Sequence, residues 1–165
     1  MQIVVLSDTH DHLGHLAWAL DQAQGCEALL FCGDFCAPFT LREMLKRFRG
    51  PIYAVLGNNA GDPLLLAHVA KESGRVTLYG DVGELELGGR RIAIVHHPRL
   101  AEGLAALGAY DLVCCGHTHK ARLEWIGNTL LLNPGDLFGL FGPPSFALYD
   151  TVTHRARLIE RGESP

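Results

Sequence analysis

The sequence predicts an α/β fold in which two β-sheets pack face to face as a sandwich with helices outside, and three observations predict it. First, residues 2 to 74 alternate short apolar runs rich in β-branched residues with stretches at helical spacing, three times over, which implies a parallel sheet covered by helices. Second, the chain beyond Gly74 changes to closely spaced apolar runs separated by turn pairs such as Gly88-Gly89 and Gly127-Asn128, the signature of hairpins. Third, five apolar runs end at once in side chains able to hold a metal. In an open α/β sheet, ligands gather beyond the carboxyl ends of the strands.

Gln2 to Leu6 is too short for a helix and reads as a buried strand. From about His12 to Gln24, Leu13, Leu16, Ala17, Leu20 and Ala23 recur at helical spacing until Gly25. Ala28 to Cys32 is a second strand. Thr40 and Glu43 read as a capping box opening a helix through Phe48, stopped by Gly50 and Pro51. Ile52 to Leu56 is a third strand, and Asp62 with Pro63 starts a helix that Gly74 closes. Val76 to Tyr79 and Gly83 to Leu87 follow as short strands, the second turning into Arg91 to Val95. A short helix at Leu104 to Leu107 precedes a buried strand from Asp111 to Cys115. Two hairpins complete the chain, Arg122 to Ile126 with Thr129 to Leu132, and Ser145 to Tyr149 with Arg155 to Ile159.

The 165 residues, 48% of them hydrophobic, suffice for one domain spanning 1–165 with a core that needs no staples. A formal charge of -4 offers no global field for nucleic acid or an anionic membrane, so no stable nucleic-acid complex is expected. The basic cluster Arg42, Lys46, Arg47 and Arg49 fits a solvated helix face. No run reaches membrane-spanning length, and the opening strand leaves no room for a signal peptide. Five cysteines in or beside apolar runs read as small buried hydrophobes of a reducing cytoplasm, with Cys32 and Cys36 as a less favoured metal or redox pair.

Nine histidines in so short a chain ask for a use, and metal ligation is the commonest. Gly116-His117-Thr118-His119 puts two imidazoles one residue apart after a strand. Asp8-Thr9-His10, Gly33-Asp34, Gly57-Asn58-Asn59 and His96-His97 stand in the same relation to four other runs. Together Asp8, His10, Asp34, Asn58, His96, His117 and His119 make a set of two carboxylates, four imidazoles and an amide, more than one ion takes. The set suits two ions sharing a bridging carboxylate. Mixed oxygen and nitrogen donors without thiolate favour Mn²⁺, Fe²⁺ or Zn²⁺ over Ca²⁺. Two such ions leave the pocket positive, so it should attract an anion. Metals about 3.5–4 Å apart can bridge a hydroxide and clamp the oxygens of a phosphorus centre, which points to phosphoester hydrolysis.

These motifs, in this order and in a chain of this size, resemble the calcineurin-like metallophosphoesterases, specifically their small prokaryotic phosphodiesterase class. The match runs from Asp8 to Gly135, where Asn133-Pro134-Gly135 also resembles the family. The resemblance implies a four-layer α/β/β/α metallophosphoesterase-like sandwich and two divalent metal ions per chain, Mn²⁺ first, with Fe²⁺, Zn²⁺, Ni²⁺ and Co²⁺ as substitutes. It implies that Asp8, His10, Asp34 and His119 hold one ion. Asp34, as the bridge, joins Asn58, His96 and His117 around the other. The implied partner is a small phosphoester, a nucleotide among the candidates.

Two departures from the family's pattern stand out. Larger relatives place a histidine, the presumed leaving-group acid, after the metal-binding asparagine, whereas this chain has Asn59, which can hydrogen-bond a phosphate but cannot act as an acid. Asn58 and Asn59 would then assist positioning, and His97 or His12 would protonate the leaving group unless that group is already good. The competing readings are a loop histidine at 97 that faces solvent and an early-helix residue at 12. Asp136 stands where serine is more usual. His15, His68 and His154 read as ordinary surface or helix histidines.

The apolar stretch from Leu137 to Pro144 reads as a buried strand connection, or else as an exposed patch that makes a subunit contact in a homo-oligomer or walls the substrate pocket. Competing functions are a phosphomonoesterase or nucleotide pyrophosphohydrolase with the same centre, and a non-catalytic scaffold of the kind the retromer complex contains. All seven ligand positions are filled, which weighs against a scaffold. No glycine-rich phosphate loop follows the first strand, which weighs against a plain nucleotide-binding module.

Overall fold

The computed structural model describes residues 1–162. Its first sheet has the strand order β11-β10-β1-β2-β3-β4, built from β1 (Gln2–Leu6), β2 (Ala28–Phe31), β3 (Ile52–Ala54), β4 (Val76–Leu78), β10 (Ser145–Asp150) and β11 (Arg155–Glu160). The second has the order β5-β6-β7-β9-β8, from β5 (Val82–Leu87), β6 (Arg90–Val95), β7 (Leu112–Cys114), β8 (Arg122–Ile126) and β9 (Thr129–Asn133). Helices α1 (Leu13–Gln22), α2 (Pro38–Arg47) and α3 (Pro63–Ser73) cover the first sheet, and α4 (Pro98–Ala106) covers the second. The expected sandwich of two sheets flanked by helices is the observed fold.

Strand alternation builds the layers. Val4 and Leu6 of β1, with Leu29 and Phe31 of β2, face the helices and meet Leu16, Leu20, Leu41, Met44 and Leu66. Their neighbours Ile3, Val5 and Leu30 face the other way and meet Ile92, Ile94, Leu112, Cys114, Leu130 and Leu132 of the second sheet. On the far side of that sheet, Ala93, Val95, Val113 and Leu131 pack under Ala101 and Ala105 of α4. Every central strand is therefore buried on both faces, which is why these runs are continuously apolar instead of alternating. Cys32 and Cys114 lie in the layer between the sheets and Cys115 under α4, all as free thiols, in keeping with their reading as small hydrophobes.

Five local expectations are corrected. The last hairpin does not join the second sheet: β10 runs antiparallel to β1, with Gln2 opposite Asp150, and closes the otherwise open edge of the first sheet. β4 also belongs to the first sheet, parallel to β3. The second sheet is mixed, since β6, β7 and β9 are parallel and only β5 and β8 pair as hairpins. The capping box at Thr40 does not form. Ala37 takes the N-cap position and Pro38 opens α2, its preset φ and missing N–H suiting the first turn. Thr40 Oγ1 instead donates to Phe35 O at 3.2 Å and Asp11 Oδ1 at 2.9 Å. α4 begins at Pro98, well before the expected Leu104. Asp62 does cap α3, accepting from Leu65 N at 2.9 Å, and Gly74 ends it with φ 63°. Such a cap is worth about 1 kcal/mol.

Candidate metal centre

The parallel strands bring their carboxyl ends to one edge of the sandwich, and the segments after them carry the polar side chains. Asp8 and His10 follow β1, Asp34 follows β2, Asn58 follows β3, His96 follows β6, and His117 with His119 follow β7. Asp8 is fully buried, and Asp34 and His96 are nearly so. Two clusters of potential ligand atoms result, Asp8 with His10 and His119, and Asp8 with Asp34 and His96.

Asp34 divides its two oxygens between them. Oδ2 lies 3.5 Å from His10 Nε2, and Oδ1 lies 3.4 Å from His96 Nε2. Asp8 Oδ1 stands 3.6 Å from His119 Nε2 and 3.9 Å from His10 Nε2. His117 Nδ1 completes the second side, 2.9 Å from Asn58 Oδ1 and 3.2 Å from His96 Nε2. All seven candidate ligands thus converge on one locus.

Three of the imidazoles, His96, His119 and His10, have a contact behind the inward nitrogen. His96 Nδ1 donates to the Cys32 carbonyl at 2.7 Å, leaving the Nε2 lone pair forward. His119 Nδ1 donates to Asp136 Oδ2 at 2.5 Å, and His10 Nδ1 lies 3.1 Å from Cys36 Sγ. Burial and nearby carboxylates push the Cys36 thiol up to about 11, so it stays protonated. Asp8 Oδ2 accepts from Ser7 Oγ at 2.5 Å and from His117 N at 2.9 Å, which holds Oδ1 toward the histidines.

The loops adopt backbone that side-chain-bearing residues avoid. Asp8, His10, Asp34, His117 and His119 all have φ between 44° and 71°. Such left-handed positions cost of order 1–3 kcal/mol each and persist where the surroundings over-determine them. Close packing of the loops is the local reason. A Cβ on Gly57, itself at φ 78°, would meet Asp34 Oδ1 at 2.3 Å, and one on Gly116 would meet Asp8 Oδ2 at 2.4 Å. Asn133 Nδ2 braces the Gly116 to His119 turn from β9, donating to Gly116 O at 2.8 Å and Thr118 Oγ1 at 3.1 Å.

The donor set fits metal. Asp8 Oδ1 and His10 Nε2 are buried polar atoms without a hydrogen-bond partner, and both point into the cluster. Uncompensated burial of such atoms is costly, and a cation is the group that satisfies both. Burial alone would raise the Asp8 carboxyl, but His10, Ser7, His96 and the His117 amide outweigh it and hold it below the ordinary range. The neighbouring Asp8, against the opposing effect of burial, holds His10 above the ordinary imidazole value. Burial, then the nearby His96 and His97, push His117 down and favour its neutral, ligating form.

The remaining polar candidates divide. Asn59 donates its backbone N–H to Asp34 Oδ1 at 2.8 Å and its amide to Asp34 Oδ2 at 2.9 Å. Its carboxamide is thus directed at the shared carboxylate. His97 is exposed at the N-cap of α4, its ring edge-on to His117 and His96 at centroid separations of 4.6 and 5.2 Å. His12 caps α1 by accepting from His15 N at 3.1 Å and stacks on the His15 ring. His68 pairs with Glu72, and His154 meets the Tyr149 hydroxyl. Asp136 was assigned no role from sequence, and Cys36, read there as a small hydrophobe or a less favoured partner of Cys32, stands behind His10. The signal for Asp136 was its place directly after Asn133-Pro134-Gly135, at the carboxyl end of β9.

Comparison with known proteins identifies the family at three levels. A calcineurin-like phosphoesterase superfamily domain matches residues 1–154. A phosphodiesterase of Methanocaldococcus jannaschii is 32% identical over 164 residues, covering 96% of this chain and 98% of that one. A solved structure of an archaeal phosphodiesterase superposes with a TM-score of 0.91 at 31% identity, covering 98% of this chain and 100% of the other. Vacuolar protein sorting 29 from Cryptosporidium parvum shares the fold, with a TM-score of 0.69 at 19% identity over 97% of this chain and 96% of its own.

Proposed function

Since the chain belongs to the calcineurin-like phosphoesterase superfamily, we propose that it is a binuclear metal-dependent phosphodiesterase hydrolysing the P–O bond of a small phosphoester. The observation that carries the binuclear reading is the division of Asp34, one carboxylate oxygen toward His10 and the other toward His96. In this reading Asp8, His10, Asp34 and His119 hold one ion, and Asp34, Asn58, His96 and His117 hold the other. The ions, when bound, supply positive charge to the phosphoryl oxygens and a water-derived nucleophile at neutral pH.

The protein's own groups prepare that chemistry. Asn59 grips Asp34 through two hydrogen bonds and fixes the rotation of the shared carboxylate, so its contribution to positioning runs through Asp34. Asn58 Oδ1 faces His117 across the second cluster. His97, exposed beside His117 and His96, is the group we assign to meet the leaving oxygen and donate a hydrogen bond to it. That assignment supplies the donor which Asn59, a carboxamide turned inward, does not.

The mixed carboxylate, amide and imidazole set supports Mn²⁺ as the ion used, ahead of Fe²⁺, Zn²⁺, Ni²⁺ and Co²⁺. A nucleotide is the proposed kind of substrate, with residues 1–165 acting as one domain, in the cytoplasm and with a homo-oligomer as an open form. Among the described residues no helix is long and apolar enough to cross a membrane. The complete ligand set favours catalysis over a scaffold role.

The test is hydrolysis of an activated phosphodiester by metal-stripped protein, with and without added Mn²⁺, beside the Asp34→Asn variant. Activity should depend on metal and fall at least a hundredfold in the variant, with bound metal falling from two ions per chain. Two bound ions without hydrolysis would overturn the enzyme reading, and no bound metal would overturn the centre.

A further inference from the structure

The loop after β9 carries two exposed apolar residues, Leu140 at 62% and Phe141 at 74% relative exposure. The loop is nevertheless anchored at its root. Leu137 is fully buried, and its N–H donates to the Ser7 and Asp8 carbonyls at 3.3 and 3.2 Å. His15 Nδ1 donates to the Leu137 carbonyl at 2.9 Å, and Asp136 Oδ1 accepts from Gly139 N at 3.0 Å. On return, Ser145 N donates to Asp136 O at 2.7 Å. The tip is therefore displayed from a base tied to the metal centre.

The rings it displays stand against the centre itself. Phe138 lies 5.1 Å from the His10 ring and 6.4 Å from the His119 ring, and Phe141 meets His119 edge-on at 5.6 Å, centroid to centroid. One side of an otherwise polar, anion-seeking site is thus an aromatic wall, and Phe141 leaves most of its surface to solvent. Exposed apolar surface beside a polar site marks a place where something apolar is to be covered.

We propose that Phe138 and Phe141 select phosphodiesters in which one ester group is aromatic or a nucleobase-bearing nucleoside, the phosphate seated at the metal centre and the planar ring against Phe141. The proposal rests on the phosphodiesterase reading and adds the class of ester group. A planar π-face gains from an aromatic partner what an alkyl group cannot, and base–aromatic contacts of this kind are worth roughly five- to a hundredfold in binding.

The test compares phenylphosphonate with methylphosphonate, neither of which can be hydrolysed, binding to Mn²⁺-loaded protein by calorimetry, in the native chain and in Phe141→Ala. The ring is exposed, so its removal spares the core. The native protein should prefer the phenyl ligand by about tenfold, and the preference should shrink toward unity in the variant. Ring-current shifts of the Phe141 protons on adding phenylphosphonate to protein loaded with diamagnetic Zn²⁺ provide a second readout. Equal binding of the two ligands by native protein, or a preference that survives in the variant, overturns the proposal. A dimer that becomes monomeric in Phe141→Ala with the preference intact overturns it in favour of a subunit contact. Failure to hydrolyse any phosphodiester counts against the reading it rests on, and the phosphonate ratio still decides the role of the ring.

Discussion

Asp136 Oδ2 sits 2.5 Å from His119 Nδ1, buried behind an imidazole whose other nitrogen faces Asp8 at 3.6 Å. This carboxylate–histidine pair fixes the tautomer and ring orientation of a candidate ligand from the outside. The other carboxylate oxygen, on Gly139 N, ties the same residue to the aromatic loop.

Asp136→Asn should keep that outline while removing the charge and one acceptor. Metal affinity should fall about ten- to a hundredfold, measured by calorimetry, with the circular dichroism spectrum unchanged. Affinity equal to that of the native protein would mean that the pair has no influence on the metal.

His10 holds its proton more tightly than a free imidazole, mainly through Asp8. With its folded pKa above the ordinary value of about 6.5, its proton stabilises the metal-free fold fully below that value, and the contribution is lost as pH rises through the raised pKa. Metal binding has the opposite sign, since the ligating nitrogen must be bare. Affinity for Mn²⁺ should therefore weaken as pH falls from 8 toward 6, with proton release on binding seen as a buffer-dependent heat. A buffer-independent heat across that range would contradict this account.

Gly57→Ala should damage site and fold together. The new Cβ would fall 2.3 Å from Asp34 Oδ1 on backbone at φ 78°, so both the shared carboxylate and the chain must shift. A loss of about 1–3 kcal/mol in stability is expected, read from the urea midpoint, together with loss of metal. Gly74→Ala provides the comparison: its Cβ would meet no atom within 4 Å, so it should cost stability and leave metal binding as it was.

Much of this was legible in the sequence because periodicity and adjacency are local properties. The run from Ile3 to Leu6 is buried on both faces, and that is why it is apolar throughout. Asp8 follows that run as directly as Asp34, Asn58, His96 and His117 follow theirs, and parallel strands carry such followers to one end. The side to which β10 would pair was not legible, because the open edge of β1 is a property of the assembled sheet. Nor was the failure of the Thr40 box, where Pro38 two residues earlier won the helix start and left the threonine hydroxyl to Asp11.

The sequence by itself determined which side chains could meet a metal and that parallel strand ends would gather them. Only the tertiary structure decided how they meet. Asp34 is shared because His10 and His96 approach it from different strands, and His119 is aimed because β9 lies beside β7 and delivers Asp136 behind it. Five candidate ligand residues hold left-handed backbone in loops packed so closely that a Cβ on Gly57 or Gly116 would meet Asp34 or Asp8, a constraint that exists only between segments far apart in the chain.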